Sequence, residues 1–297
     1  MTGPAVSAAA GAAPDGSAAA PSTIELERRA YRKRQSTRSV LIGLASTLVL
    51  AVVLGAAVLG SPGWARVQQS FLDPQVALDS LPRILEGLWL NIQVLVVASL
   101  GVAVFGVVLA TIRTLRGPVF FPLRFLAAAY TDLFRGLPLI IVLYLVGFGI
   151  PGLQLTDRMP AAFWGTIALI LTYSAYVSEV FRAGIEAVHP SQRLAARSLG
   201  LSHRQSMVRV VLPQAFRKVT PALMNDFVAM QKDVGLISVL GAVDAVRAAQ
   251  IETAQAFNFT PYVVAGLLFV LLSWPFIRLT DWLSARQRSR EQAGGVL

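Results

Sequence analysis

Two stretches of 25 residues, Val40–Trp64 and Leu88–Ile112, contain no charged side chain. A run of that length crosses a hydrocarbon core of about 30 Å as a helix, the form in which a segment's backbone N–H and C=O groups satisfy one another without water. Further charge-free runs lie at Leu137–Leu153, Ala161–Ser178 and Phe257–Ile277. The Leu137 run is short and is expected to continue backward through Arg135 and Asp132 toward Phe125. Thr220–Val243 is a sixth candidate, although it contains Asp226, Lys232 and Asp233. A water-soluble fold cannot hide this much apolar surface in a chain that is 55% hydrophobic and 14% charged. An all-α integral membrane protein with six transmembrane helices is the expected fold class. A cleaved signal peptide competes for the first run, but the basic region before it is too long and the apolar stretch too wide.

The charge distribution tests the six-span reading. With the N-terminus inside, segments 1–39, 113–124, 182–218 and 278–297 hold 20 Lys and Arg, whereas the outside segments hold 4. That is the positive-inside pattern, and omitting the fifth span would place the basic C-terminus outside. The net charge of +10 therefore reflects topology, with the anionic inner leaflet as its partner and no need for nucleic acid. Absence of cysteine excludes disulfides and thiolate chemistry, and His189 and His203 alone cannot build a metal site. The expected organisation is a disordered basic cytoplasmic tail at 1–38, with 1–22 rich in Ala, Gly, Ser and Pro. An N-terminal transmembrane helix at 39–64, an external linker at 65–83, a transmembrane core at 84–290 and a C-terminal tail at 291–297 follow. Both termini are expected in the cytoplasm.

The inside segment between the fourth and fifth spans is patterned. Pro190 can start a helix, Arg193 and Arg197 share one face, and Leu194, Ala195, Ser198 and Leu199 form a less polar one. Gly200 ends that helix, Ser202 and Gln205 have capping-box spacing for a second, and Pro213 is expected to stop it. By shape alone this helix–turn–helix suits lipid contact, a protein partner or DNA.

Residues 190–213, PSQRLAARSLGLSHRQSMVRVVLP, resemble the EAA loop of ABC importer permeases, with Ala195, Ala196, Gly200, Val210, Leu212 and Pro213 at matching spacing. Leu194 stands where the motif carries its acid. FRGLPLI at 134–140, YSAYVSEVFRAGIEAV at 173–188 and PALMNDFVAMQKDVGLISVLG at 221–241 resemble segments of polar amino-acid permeases, in the same order. Val234 and Gly235 replace the family's more usual Thr and Ser. The resemblance covers roughly 84–290 and leaves the first helix as an addition to a five-helix core.

The resemblance implies a bacterial cytoplasmic-membrane permease that imports a polar amino acid delivered by an extracytoplasmic solute-binding protein. It implies cytoplasmic ATPase subunits and a second permease copy or paralogue as partners. Ala195, Ala196, Arg197, Gly200, Leu201 and Pro213 are the implied ATPase-docking residues, and Arg193 and Arg197 could meet acids on the ATPase or simply face anionic lipid. Asn225, Lys232 and Asp233 are candidates for the substrate path, because intramembrane charges without a partner three or four residues away must face a helix, a cavity or substrate. Asp132 with Arg135, and Glu179 with Arg182 and Glu186, have the spacing of structural ion pairs. No cofactor is expected on this chain: Lys33, Lys218 and Lys232 are its only lysines and none lies in a P-loop, so ATP hydrolysis falls to another polypeptide. A permease for another small solute, a membrane-tethered DNA-binding regulator and an intramembrane enzyme are the competing readings. The regulator leaves five spans unexplained, and the enzyme lacks a paired nucleophile and base.

Overall fold

The computed structural model describes residues 23–115, 117–155 and 158–294, and among these there is no strand. The chain divides into two units, 1–64 and 65–297. The first is a helix, α1 (Thr23–Leu59). It begins well before the apolar run, so 23–38 are helical where a disordered tail was expected. Arg, Lys, Glu and Gln are good helix formers, and an apolar helix beside them supplies the nucleus from which they propagate. Residues 1–22 lie outside the described residues. The helix ends at Leu59 rather than at Trp64, because Ser61-Pro62-Gly63 cannot continue it.

The second unit opens with α2 (Trp64–Phe71, its first residue at the junction) and α3 (Pro74–Thr114), so the expected linker at 65–83 is helical. Its starting signal is local. The Asp73 carboxylate accepts the N–H groups of Gln75 and Val76 at 2.9 and 3.3 Å, and Pro74 sits where its missing donor costs nothing. Helix α4 (Phe121–Gly136) follows a single 3-10 turn, and then the chain bends by 109° into α5 (Leu139–Tyr144). Leu137, held extended by the following Pro138, makes that bend, so the third span is broken where a continuous helix was expected. A π-helical turn at 145–149 and α6 (Ile150–Gly152) complete it.

Helix α7 (Ala161–Glu186) is the hub of the core. Its Ala168 and Leu169 pack with Leu95 and Ala98 of α3, Leu143 of α5 and Ile237. Val96, Val97, Leu100 and Val104, on the other face of α3, are all more than half exposed, as a lipid-facing surface requires. After α8 (Pro190–Ser198) and α9 (His203–Ser206), a π-helical turn at 207–211 runs directly into α10 (Leu212–Asp233). Pro213 therefore does not stop the helix. It occupies the first turn of α10, directly after the π turn, where its missing N–H and its ring are accommodated. A 3-10 segment at 234–240 succeeds α10, a 53° bend leads into α11 (Ala245–Ala256), and α12 (Thr260–Gly294) ends the described chain. The C-terminal tail expected from 291 is helical to 294, and 295–297 lie outside the described residues. Among the described residues, four helices are long and apolar enough to cross a membrane, or up to six if each bent pair counts as one span.

Candidate functional site

The patterned loop forms two joined helices with an ordered turn. The N–H of Gly200 donates to Arg197 O at 3.0 Å and that of Leu201 to Ala196 O at 3.1 Å, the paired bonds of a Schellman cap. Gly200 has φ +78°, a left-handed conformation that a Cβ would strain. Ser202 and Gln205 exchange reciprocal bonds of 2.9 and 3.2 Å, the capping box expected of them. Ala195 and Arg197 of α8 and Gly200 after it are exposed, Leu201 is half-buried and Ala196 is buried, so Ala196 faces the helical core rather than outward. Leu194 and Leu199 are 66% and 81% exposed, so two large apolar side chains stand on the surface beside the exposed Arg197 and Ser198. Pro213 is exposed at the base of α10.

Two cations, one on α8 and one on α10, tie the helices on either side of this turn to the end of α7. Arg193 Nη2 donates to Ile185 O at 2.6 Å, and Lys218 Nζ donates to Ala187 O at 2.7 Å. Cations on the last carbonyls of a helix satisfy acceptors that have no intrahelical donor and oppose the negative end of its dipole. Arg193, considered above as a contact for acids on another protein, is thus turned inward. Beneath these bonds Ile185 and Val188 pack with Val211 and Ala215. Gly184 allows the close approach, since a Cβ there would collide with Val219.

A charge cluster lies one turn above. Arg182 reaches Glu179 and Glu186, both at 2.5 Å, as the spacing predicted. Arg113 of α3 also binds Glu179 at 2.8 Å, and Arg135 of α4 approaches it at 3.9 Å. Arg135 and Asp132 do not pair as expected. Arg135 instead lies 6.0 Å from the Tyr176 ring centre and toward Glu179, both on α7, while Asp132 is exposed. Glu179 therefore joins three helices, and a search confined to one helix finds only its local partner.

The three path candidates separate. Asn225 and Lys232, seven residues apart, share the exposed face of α10. Asp233 is half-buried and accepts the Tyr173 hydroxyl at 2.7 Å. Asp226, seven residues before it, turns one carboxylate oxygen into the interior without a hydrogen-bond partner. It lines a cavity of about 300 Å³ with Ser99, Tyr173, Phe181, Phe227 and Met230. Lys232 and Asp233 thus diverge as adjacent helical residues must. The change to 3-10 geometry begins at Val234, directly after Asp233.

A second polar knot was not anticipated. The Asn91 amide donates to Asp244 Oδ2 at 3.0 Å and accepts the Ala245 N–H at 3.0 Å, with both side chains almost fully buried. Arg83 pairs with Glu252 at 2.5 Å beside it, so α3 and α11 are joined by polar bonds. Asn91 inside a charge-free run was the available signal, because a buried amide needs a partner. Among the described residues no group of His, Asp and Glu could hold a metal ion.

Residues 103–289 match the family model described as binding-protein-dependent transport system inner membrane component. The arginine transport system permease protein ArtQ of Bacillus subtilis (strain 168) is 36% identical over 203 residues, covering 68% of this chain and 90% of its own. The probable glutamine ABC transporter permease protein GlnM of the same strain is 30% identical over 216 residues, covering 72% and 98%. A crystal structure of an amino acid ABC transporter with histidines superposes with a TM-score of 0.67 at 31% identity, covering 72% of this chain and 98% of that one. The MetNI methionine ABC transporter, in an inward-facing form, shares the fold at a TM-score of 0.56 and 17% identity. With most of the core matched by the family model and by relatives over nearly their full length, the chain belongs to the binding-protein-dependent transport system inner membrane components.

Proposed function

We propose that this chain is the permease of an ATP-driven importer, carrying a polar amino acid delivered by an extracytoplasmic binding protein. The observation that carries this reading is the exposed α8, capped at Gly200 and clamped by Arg193 to α7, to which Lys218 also ties α10. In this arrangement Ala195, Arg197, Gly200 and Leu201 contact a separate cytoplasmic ATPase, and Leu194 offers it an apolar side chain where the family motif has an acid. The ATPase's movement passes through Arg193 and Lys218 into the spanning helices. The chain itself binds no cofactor. A second copy or a paralogue completes the transporter, and both termini lie in the cytoplasm.

Asp233, oriented by Tyr173, and the exposed Asn225 and Lys232 line or brace the substrate path. Relatives named as arginine and glutamine permeases support the amino-acid class. A bulky charge at Gly200 tests the docking role, because it must abandon the left-handed geometry and also crowd the ATPase. Gly200→Glu is expected to lose capture of the ATPase and uptake of labelled arginine or glutamine. Normal capture together with normal uptake would reject α8 as the docking element.

A further inference from the structure

We propose that a basic cleft between α10 and α12 binds the phosphate headgroup of an anionic membrane lipid. The cleft has a volume of about 570 Å³ and is lined by Gln214, Arg217, Lys218 and Pro221 of α10 and by Leu283 and Arg286 of α12. Among the described residues, three cations line it and no carboxylate does. Arg217 is exposed and makes no hydrogen bond or ion pair among the described residues. Lys218 uses one N–H on Ala187 O, leaving the rest of its ammonium for another acceptor. Arg286 is held over the Trp282 ring, 5.1 Å from its centre. Like charges lining one concavity repel, and a phosphate offsets that repulsion while accepting hydrogen bonds from guanidinium and ammonium groups.

The surroundings select a lipid over a soluble anion. Trp274 and Trp282 lie along α12 with Arg278 and Arg286 against them at 5.9 and 5.1 Å. Tryptophan beside arginine at the end of an apolar helix marks the headgroup level of a bilayer. The adjoining surface of α12 exposes Leu271, Trp274 and Leu279, against which acyl chains can lie while the headgroup occupies the cleft. Basic pockets between spanning helices on the cytoplasmic side have the chemistry of anionic-lipid sites. A lipid held there would bridge α10, which leads from the docking loop to Asp233, and the end of the bilayer-facing α12.

The test uses the full chain purified in mild detergent, with lipid adducts counted by native mass spectrometry. Phosphatidylglycerol, phosphatidylcholine and inorganic phosphate are compared on wild type, on Arg217→Gln/Arg286→Gln and on Arg204→Gln/Arg209→Gln. The last pair removes the same charge from the inner face outside the cleft. Phosphatidylglycerol should bind wild type and the control pair alike, and the cleft pair about tenfold more weakly. Arg217→Glu, which adds a carboxylate to the cleft, should weaken it at least as much. Equal loss in both pairs would reduce the effect to diffuse surface attraction and overturn the site. So would no loss in the cleft pair, equal binding of phosphatidylcholine, or displacement of the lipid by an equal concentration of inorganic phosphate.

Discussion

Glu179 shows how a single carboxylate can join helices that are distant in sequence. Its two oxygens receive Arg182 from the same helix and Arg113 from α3, with Arg135 of α4 nearby. The side chains of Glu179 and Arg113 are 19% and 14% exposed, so water screens this cluster poorly and a broken pair leaves a stranded charge. Glu179→Gln should therefore destabilise the protein by about 2 kcal/mol, whereas Arg113→Met should cost nearer 1 kcal/mol because Arg182 still neutralises the acid. Unfolding in detergent micelles measures both. Losses below about 0.5 kcal/mol in each would class the cluster with solvated surface pairs. The Glu179–Arg182–Glu186 part was legible because residues three and four apart share a helix face. Arg113 lies 66 residues from Glu179, and no periodicity relates them. The same distinction explains Asp132, whose correct spacing from Arg135 was outweighed by the stronger attraction of Arg135 to groups on α7.

At the scale of elements, the joint among α7, α8 and α10 decides whether α8 can move as a lever. The Schellman turn and the capping box were legible, since Gly200, Ser202 and Gln205 act on backbone groups within a few residues. The clamp was not, because Arg193 and Lys218 choose carbonyls that only the folded chain brings near. Pro213 was misread for a related reason: a proline excludes a donor but does not say whether the preceding turn has already released that bond. Arg193→Ala removes one of the two clamps without touching the exposed face of α8. It should leave capture of the ATPase near normal, keep its ATP hydrolysis, and reduce uptake per ATP hydrolysed by about threefold, roughly the value of a hydrogen bond from a charged donor after partial compensation. Arg193→Lys, which can still reach Ile185 O, should recover part of the loss. If uptake and hydrolysis fall together in both variants, Arg193 serves stability and not transmission.

For the whole molecule, the two ends of the second unit have different charge and different contacts. Residues 65–83 and 244–260 meet at one end, through Arg83 with Glu252, Asn258 Nδ2 with Gln69 O at 2.8 Å, and Asp73 N with Thr260 Oγ1 at 3.1 Å. Arg113, Glu179, Arg193 and Lys218 gather at the other, where the sequence also concentrates its cations. By the positive-inside rule we propose that the loop at 190–213 and the end of α12 lie in the cytoplasm and α11 outside. Because the chain has no cysteine, single replacements report this directly. Ser61→Cys and Gln255→Cys should react with a membrane-impermeant thiol reagent in intact spheroplasts. Ser198→Cys and Ser289→Cys should react only after permeabilisation. All four side chains are exposed, so a failure to react reports sidedness and not burial. Labelling of Ser289→Cys in intact spheroplasts, with Gln255→Cys protected, would mean that the bent pair of α10 and α11 re-enters without crossing. Protection of Ser61→Cys would overturn the external placement of 65–83, because the few residues between Ser61 and α2 are too short to cross the bilayer.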